Sequence, residues 1–420
     1  METTARYGDA GMRKFLIIIF LLTIPWQTRW IFGDTMINGA PSEYGRLFVS
    51  LGDLTAAFIA AVWLFGLRKQ FRRRRFLENR LRFIFLLPAL SVISSLWAPE
   101  PLLAIQIGAR LFLAYAVIFA LKDETLRFRR ECYAVFAVAL VPSAIIGVWQ
   151  ILVQYVDAST ALGIAGQFPL RLGTAVVELN GVRVLRAYGT FSHPNIFGGA
   201  MALGIVSALF CSSFLKRSWR RRSLCAVATI LTVGLFASVS RAALLTLVVA
   251  TVAWIFAVRH RADEYRRGRT VVRGIVAGLL VGVALFGNLW TARADMSGRL
   301  EKKSVDDRVS EWSLARDIVA EKPFNWIVGV GAGNFVFKSA EIKPGMPVYD
   351  YQPTHNVFAL LFAEFGLVGL ALAFLTIGPI RPIRRIGLIY ASLFILMFFD
   401  HWLWTQPFGL YATAIFVGLL

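Results

Sequence analysis

The run LCAVATILTVGLFASVSRAALLTLVVATVAWIFAV, residues 224–258, decides how this chain folds. It is apolar almost throughout, and a helix needs only about 20 such residues to cross a hydrocarbon core of about 30 Å. Basic segments flank it on both sides, Lys216–Arg222 before it and Arg259–Arg273 after it. Flanks of the same charge belong on the same side of a membrane, so the run must cross twice. Its reversal falls near the middle, at Ala237-Ser-Val-Ser-Arg-Ala. That places Arg241 at or just below the far surface, where an arginine is costly unless it meets water, a carboxylate or a bound anion.

Outward from this run the pattern repeats. Mean hydropathy is +0.63 and 57% of residues are hydrophobic, against a formal charge of +20. A soluble nucleic-acid binder of that charge would not carry apolar runs from end to end. The chain reads as an all-α polytopic membrane protein. Its expected spans are 15–32, 47–67, 83–97, 104–121, 132–154, 195–215, 224–240, 242–258, 274–292, 354–378, 388–404 and 407–420, twelve transmembrane helices in all. The first run ends in Trp26-Gln-Thr-Arg-Trp, without a small-residue cleavage pattern, and reads as a span.

Charge orients the spans. The connections Arg68–Arg82 (with Arg72-Arg-Arg-Arg), Lys122–Arg130, Lys216–Arg222, Arg259–Arg273 and Arg381–Arg385 are basic, as are Arg6, Arg13 and Lys14. The positive-inside rule makes these segments, and both termini, cytoplasmic, and the rule accounts for the arginines without nucleic acid. Cys132, Cys211 and Cys225 fall in or beside apolar runs and read as core.

The outer face then receives 33–46, 155–194 and 293–353. The chain divides into helices 1–9 (1–292, with the outer loop 155–194), an outer loop carrying a surface helix (293–353), and helices 10–12 (354–420). The segment 155–194 ends Arg186-Ala-Tyr-Gly-Thr-Phe-Ser-His-Pro, a turn into the sixth span that holds Arg186 and His193. Asp53 and Arg110 each lie six residues inside the outer end of a span, about 9 Å deep, and can pair there. Such a pair fixes helix packing or serves a substrate. Asp400-His401, near the outer end of the eleventh span, carries the same two readings.

The longest polar excursion holds most of the chemistry. Ser304-Val-Asp-Asp opens it as a capping box, with a helix expected over 305–321 and stopped by Pro323. Arg308, Trp312, Ala315 and Val319 form one stripe on it. Arg308 is either a snorkelling arginine or an anion ligand. Ile327-Val-Gly-Val-Gly-Ala-Gly-Asn-Phe is no nucleotide loop, since it lacks GxxxxGK[ST], a strand-helix-strand setting and a ribose-binding acid. Its glycines suit tight turns or a close approach to a lipid head group. His355, in Tyr351-Gln-Pro-Thr-His-Asn-Val-Phe, opens the tenth span at the water boundary, where a histidine can take a proton near neutral pH. Asp306-Asp307 has no second carboxylate cluster, HExxH or CxxC in reach, so no metal is expected.

Several of these pieces, in order, resemble the O-antigen ligase and polysaccharide polymerase superfamily of bacterial inner membranes. They are Gly189-Thr-Phe-Ser-His-Pro-Asn-Ile-Phe-Gly, Ser240-Arg-Ala-Ala-Leu-Leu, Asp307-Arg-Val-Ser-Glu-Trp, Val328-Gly-Val-Gly-Ala-Gly-Asn-Phe, Thr354-His-Asn-Val-Phe and Phe365-Gly-Leu-Val-Gly-Leu. The resemblance covers roughly 186–378. It implies a GT-C-like fold and a glycosyltransferase that moves a glycan from undecaprenyl diphosphate to an acceptor hydroxyl, on lipid A–core or on another glycan. It places the chain in the inner membrane with its site facing the periplasm. It implies that Arg241 and Arg308 hold the diphosphate and that His355 activates the acceptor, with inversion and without a cofactor or metal. Arg186, His193, Arg110 and Asp53 are secondary candidates. Asp307 stands where family members often have glycine before the arginine. Ligation and repeat-unit polymerisation share this chemistry, and the reading leans to ligase. A flippase for the same lipid-linked glycan predicts symmetric halves and midplane sites, which the unequal outer loops do not suggest. A scaffold leaves the His355 and arginine constellation unexplained.

Overall fold

A computed structural model describes residues 2–70, 85–295, 299–377 and 384–420. Arg72–Arg75 and Arg381, which belong to two of the expected basic connections, lie outside the described residues.

The chain is mostly helical. In order it forms α1 (Glu2–Thr23), β1 (Arg29–Ile37), β2 (Ala40–Ser50), α2 (Leu51–Gln70), α3 (Leu86–Ile93), α4 (Pro101–Lys122), α5 (Leu126–Ala139) and α6 (Val141–Val153). Then come β3 (Val176–Leu179), β4 (Val182–Leu185), α7 (Pro194–Ser212), α8 (Ser218–Ser238), α9 (Arg241–Val258), α10 (Ala262–Ala294) and α11 (Arg299–Ala320). The last elements are α12 (Pro323–Val328), α13 (Phe335–Ile342), α14 (Val357–Ile377), α15 (Arg384–Phe399), α16 (Trp402–Thr405) and α17 (Pro407–Leu419). Among the described residues, 7 helical stretches are long and apolar enough to cross a membrane: α4, α5 with α6, α7, α8, α9, α10 and most of α14. Shorter apolar helices occupy Leu51–Gly66, Leu86–Leu96, Gly387–Phe399 and Pro407–Leu419.

The run 224–258 does reverse. α8 ends at Ser238, Val239 takes a left-handed φ of 48°, and the Ser240 side chain caps α9 by accepting from the Ala243 amide. A β-branched residue resists that backbone region, so the turn needs support from outside itself. α7 is the centre of the bundle. Its glycines let neighbours close in: a methyl at Gly198 would meet the Ser238 hydroxyl, and one at Gly199 the Trp402 ring.

The helical class holds, and four details differ from expectation. Two short antiparallel hairpins, β1–β2 and β3–β4, join the helices, turned by Asn38-Gly39 and Asn180-Gly181, all four with positive φ. Such turns match the right-handed twist of paired strands. The first two spans are trimmed accordingly, because α1 stops at Thr23 before Pro25 and β2 runs to Ser50. Secondly, α11 is already under way at Arg299, so Ser304 lies inside the helix and does not begin it. Thirdly, α10 starts at Ala262, well before the expected 274, with Asp263 and Glu264 in its first turn, where acids offset the helix dipole. Lastly, α15 ends at Phe399, leaving Asp400-His401 in the turn before α16.

The segment 299–353 and hairpin β1–β2 together build a cap on one end of the bundle. Leu314, Ala315, Ile318 and Val319 of α11 pack with Ile37, Val330, Phe335, Val336, Tyr351 and Leu360 in a core of their own. The apolar stripe expected on this helix is thus half right: Ala315 and Val319 are buried, while Trp312 is exposed and meets Phe398 at its edge.

The glycine loop locks the cap to the bundle. α14 breaks at Gly366 (φ 63°), which frees carbonyls in the preceding turn. The Val330 and Gly331 amides donate to Ala363 and Glu364 oxygens at 3.0 Å each. A side chain at Gly329 would strike the Glu364–Phe365 backbone, and one at Gly366 would strike Ile327. Of the two expected uses, tight turns are what these glycines serve, with positive φ at Gly329, Gly331 and Gly333, and the close approach seen here is to a broken helix.

Candidate functional site

Between the cap and the ends of α7, α8, α14 and α15 the chain gathers three of its four histidines. His355 sits in the two-residue entry to α14. Its backbone amide donates to Glu311 Oε2 at 2.9 Å, and its Nδ1 lies 2.8 Å from Oε2 and 3.0 Å from Oε1. The His355 side chain is 19% exposed and that of Glu311 15%. Burial disfavours a charged ring, but the hydrogen bond and charge of Glu311, with Asp400 behind, outweigh it and raise the His355 pKa above its ordinary value. The carboxylate orients the ring through Nδ1 and leaves Nε2 with no protein partner among the described residues.

Arg308 is three residues before Glu311, on the same side of α11. It is half-buried and near enough for its charge to oppose protonation of His355. Its guanidinium has no carboxylate partner among the described residues.

His401 packs edge-on to His355 with ring centroids 5.3 Å apart, and Tyr44 of β2 stands 5.8 Å beyond it. The Nδ1 of His401 is 2.8 Å from the Thr405 hydroxyl, and burial pushes its pKa down to about 4. Beside it, Asp400 is buried and held ionised: burial works against its charge, but His401, His355, His193 and a 3.0 Å bond from Asn195 Nδ2 pull its pKa below the usual range.

Arg186 explains the turn at Val239. It is 3% exposed; its Nε donates to the Ser238 carbonyl at 2.8 Å and one terminal nitrogen to the Val239 carbonyl at 3.3 Å. The same nitrogen donates to Asn195 Oδ1 at 2.7 Å. Arg186 therefore satisfies carbonyls that the end of α8 leaves orphaned, and through Asn195 it positions Asp400. Arg241 follows two residues after Val239, half-buried, as the first residue of α9.

His193 caps α7: its Nδ1 accepts from the Asn195 amide at 3.1 Å. Burial, with Arg186 adding to it, drives its pKa down to about 3. It borders the same cluster, close enough to feel Asp400, His355 and His401.

Asp53 and Arg110 do pair, at 3.2 Å. Asp53 also accepts from the Ser50 amide (2.8 Å) and the Tyr411 hydroxyl (2.6 Å), while Arg110 donates to the Phe48 carbonyl (2.8 Å). These bonds tie hairpin β1–β2 to α2, α4 and α17, and they account for both charges without a ligand.

Among the described residues, His355, Asp400 and His401 bring one ligand atom each to within 4.8 Å of the others. That donor set suits a divalent ion. Here, however, each residue already has a protein partner: Glu311, Asn195 and Thr405 respectively.

Sequence reasoning missed Glu311 and Asn195 as members of the site, and it left Asp400-His401 between two readings. Glu311 follows Arg308 at i+3 in a segment already singled out, so helical spacing alone could have placed it on the same face.

Residues 225–374 match the family model for O-antigen ligase. Over this stretch the chain resembles the O-antigen ligases. The stretch contains Arg241, Arg308, Glu311 and His355, whereas Arg186, His193 and Asp400-His401 come from the flanking parts of the chain. Comparison with curated proteins finds no match, and comparison with solved structures finds none either. Over that stretch the chain is similar to O-antigen ligases, and its long apolar helices are those of a membrane protein.

Proposed function

We propose that this protein is a glycosyltransferase that passes a glycan from undecaprenyl diphosphate to an acceptor hydroxyl, in the manner of an O-antigen ligase. The observation that carries the reading is the Glu311–His355 pair beside Arg308. A carboxylate that accepts from Nδ1–H leaves Nε2 as the unprotonated nitrogen, with no protein partner among the described residues, which is the arrangement of a general base. Its raised pKa makes the proton easier to accept.

The steps follow from charge. The acceptor O–H gives its proton to His355 Nε2 as its oxygen attacks the anomeric carbon. The bond from that carbon to the diphosphate oxygen breaks, and the electron pair leaves with the diphosphate. Arg308 and Arg241 offer forked, permanently charged donors for the leaving group. Once that charge is stabilised the diphosphate needs no separate acid. Attack from the face opposite the leaving group inverts the anomeric centre. Two guanidinium groups also do the work of a divalent ion, so the reaction is metal-independent.

The same reading takes the apolar helices as twelve crossings of a bacterial inner membrane in a GT-C-like arrangement. The termini are cytoplasmic and the capped end is periplasmic, as charge distribution favours. Lipid A–core is the acceptor of a ligase; a growing glycan would make the enzyme a repeat-unit polymerase. The O-antigen ligase match favours the former.

The test is reconstitution. Purified protein, a lipid-diphosphate-linked glycan and lipid A–core should yield glycosylated lipid A–core and free lipid diphosphate in equal amounts. Product only on a glycan acceptor would assign a polymerase. Movement of donor between leaflets with no bond broken would replace transfer by transport.

A further inference from the structure

The end of the bundle opposite the histidines carries a second concentration of charge that glycan transfer does not use. Lys216 and Arg221, before and in the first turn of α8, face Arg266, Arg267, Arg269 and Arg273 of α10 across a cleft of about 700 Å³. Helix packing forces this convergence. Gly274 and Gly278 bring α10 against the α8 backbone: a methyl at Gly274 would strike the Cys225 carbonyl oxygen, and one at Gly278 that of Thr229. The Thr229 hydroxyl donates to the Gly274 carbonyl at 3.0 Å, and Trp290 Nε1 to the Phe236 carbonyl at 3.1 Å. These pairs advance together along both helices, so α8 and α10 run parallel and start at the same end.

Parallel starts make the charge problem worse, because the N-terminal end of a helix is itself positive. Arg266 has a partner in Asp263 at 3.0 Å, and Arg221 donates to the Leu215 and Lys216 carbonyls. Lys216, Arg267, Arg269 and Arg273 have no carboxylate partner among the described residues. Orientation in a membrane requires cations on this side, but it does not require them to meet around one cleft. An anion there offsets their repulsion.

The surroundings indicate which anion. Trp219 and Tyr265, exposed by 57% and 43%, lie in the same first turns of α8 and α10, and such aromatics sit at head-group depth. Val276 and Leu280 of α10 are exposed one and two turns beyond Arg273, an apolar track below the charges. We infer that this cleft binds an anionic phospholipid, with its phosphate among the arginines and its acyl chains along α10. The lipid lies in the leaflet opposite His355 and is distinct from the glycan donor.

The test uses the full-length purified protein in nanodiscs of phosphatidylcholine doped with phosphatidylglycerol, with bound lipid read by native mass spectrometry. Wild type should retain phosphatidylglycerol in preference. Arg266→Gln, Arg269→Gln and Arg273→Gln combined should weaken that preference on the order of a hundredfold. An equal charge loss at Arg127, Arg129 and Arg130 should leave it intact. Equal loss from both triples would mean diffuse attraction and overturn the site. Displacement by millimolar inorganic phosphate would reassign the cleft to a free anion. If the triple variant does not insert, wild type with a photoactivatable phosphatidylglycerol head group decides: adducts within 216–221 and 266–273 are expected, and labelling spread over the other basic loops would refute the proposal.

Discussion

Glu311 holds His355 twice, accepting from its backbone amide at 2.9 Å and facing its Nδ1 at 2.8 Å, across 44 residues of chain. One contact fixes where the residue sits and the other fixes how its ring is turned. Glu311→Gln keeps the shape and removes the charge. The carboxylate raises the His355 pKa, so its loss should move the acid limb of the pH–rate profile toward lower pH. The neutral amide also orients the ring less well, and the rate should fall roughly ten- to hundredfold. A pH profile of kcat/KM checks both; an unmoved acid limb would mean that His355 is not the titrating base.

The linkage to stability has its own sign. A histidine whose folded-state pKa is raised stabilises the fold below its ordinary pKa, and that contribution fades as pH rises through the raised value. Wild type should therefore lose its stability margin over Glu311→Gln as the pH climbs above the ordinary histidine range. Thermal unfolding in detergent at several pH values measures this.

His193 and His355 should separate cleanly. Asparagine can accept from the Asn195 amide as His193 does, so His193→Asn preserves the cap of α7 and should retain transfer within severalfold. His355→Asn removes the base, and should cost on the order of a hundredfold or more. Rates at matched membrane levels decide between them; a larger loss at His193 would identify the wrong histidine as base.

Arginine geometry is testable apart from charge. Lys at 241 or 308 keeps the charge but loses the fork, and should weaken donor binding by about 1–3 kcal/mol per lost charge-assisted contact. Residues that only anchor helices at the membrane surface would accept Lys freely. Donor-dependence of the rate for Arg241→Lys and Arg308→Lys, beside Arg171→Lys on an exposed loop, distinguishes the two.

A chelator tests the cluster of His355, Asp400 and His401. Transfer should survive EDTA, since in this account the guanidinium groups of Arg241 and Arg308, not a metal held by these residues, offset the charge of the diphosphate. Loss with rescue by a divalent ion would make these three residues metal ligands.

Much of this molecule was legible beforehand, because apolar length and alternating charge are strong, local signals. The double crossing of 224–258 followed from both, and Ser240 at the reversal is the cap that its side chain suits. The hairpins also have a sequence signal, since Asn38-Gly39 and Asn180-Gly181 are strong turn pairs, but the apolar runs beside them dominate the local pattern. What sequence could not show was assembly. Asn195 is 205 residues from Asp400, and Arg186 is 52 from Ser238; only the packed bundle brings them to the histidines. The glycines of 329–333 were legible as turn residues, but not the partner they approach. Their φ demand is local, but the partner that needs the close approach, the break at Gly366, lies in another helix.

The most direct test follows the anomeric centre. Purified protein would be given a lipid-diphosphate-linked glycan of defined configuration and an acceptor, with the product bond read by NMR. The account predicts the opposite configuration in the product, formed with EDTA present and absent with His355→Asn. Retained configuration, or undiminished transfer without His355, would contradict it.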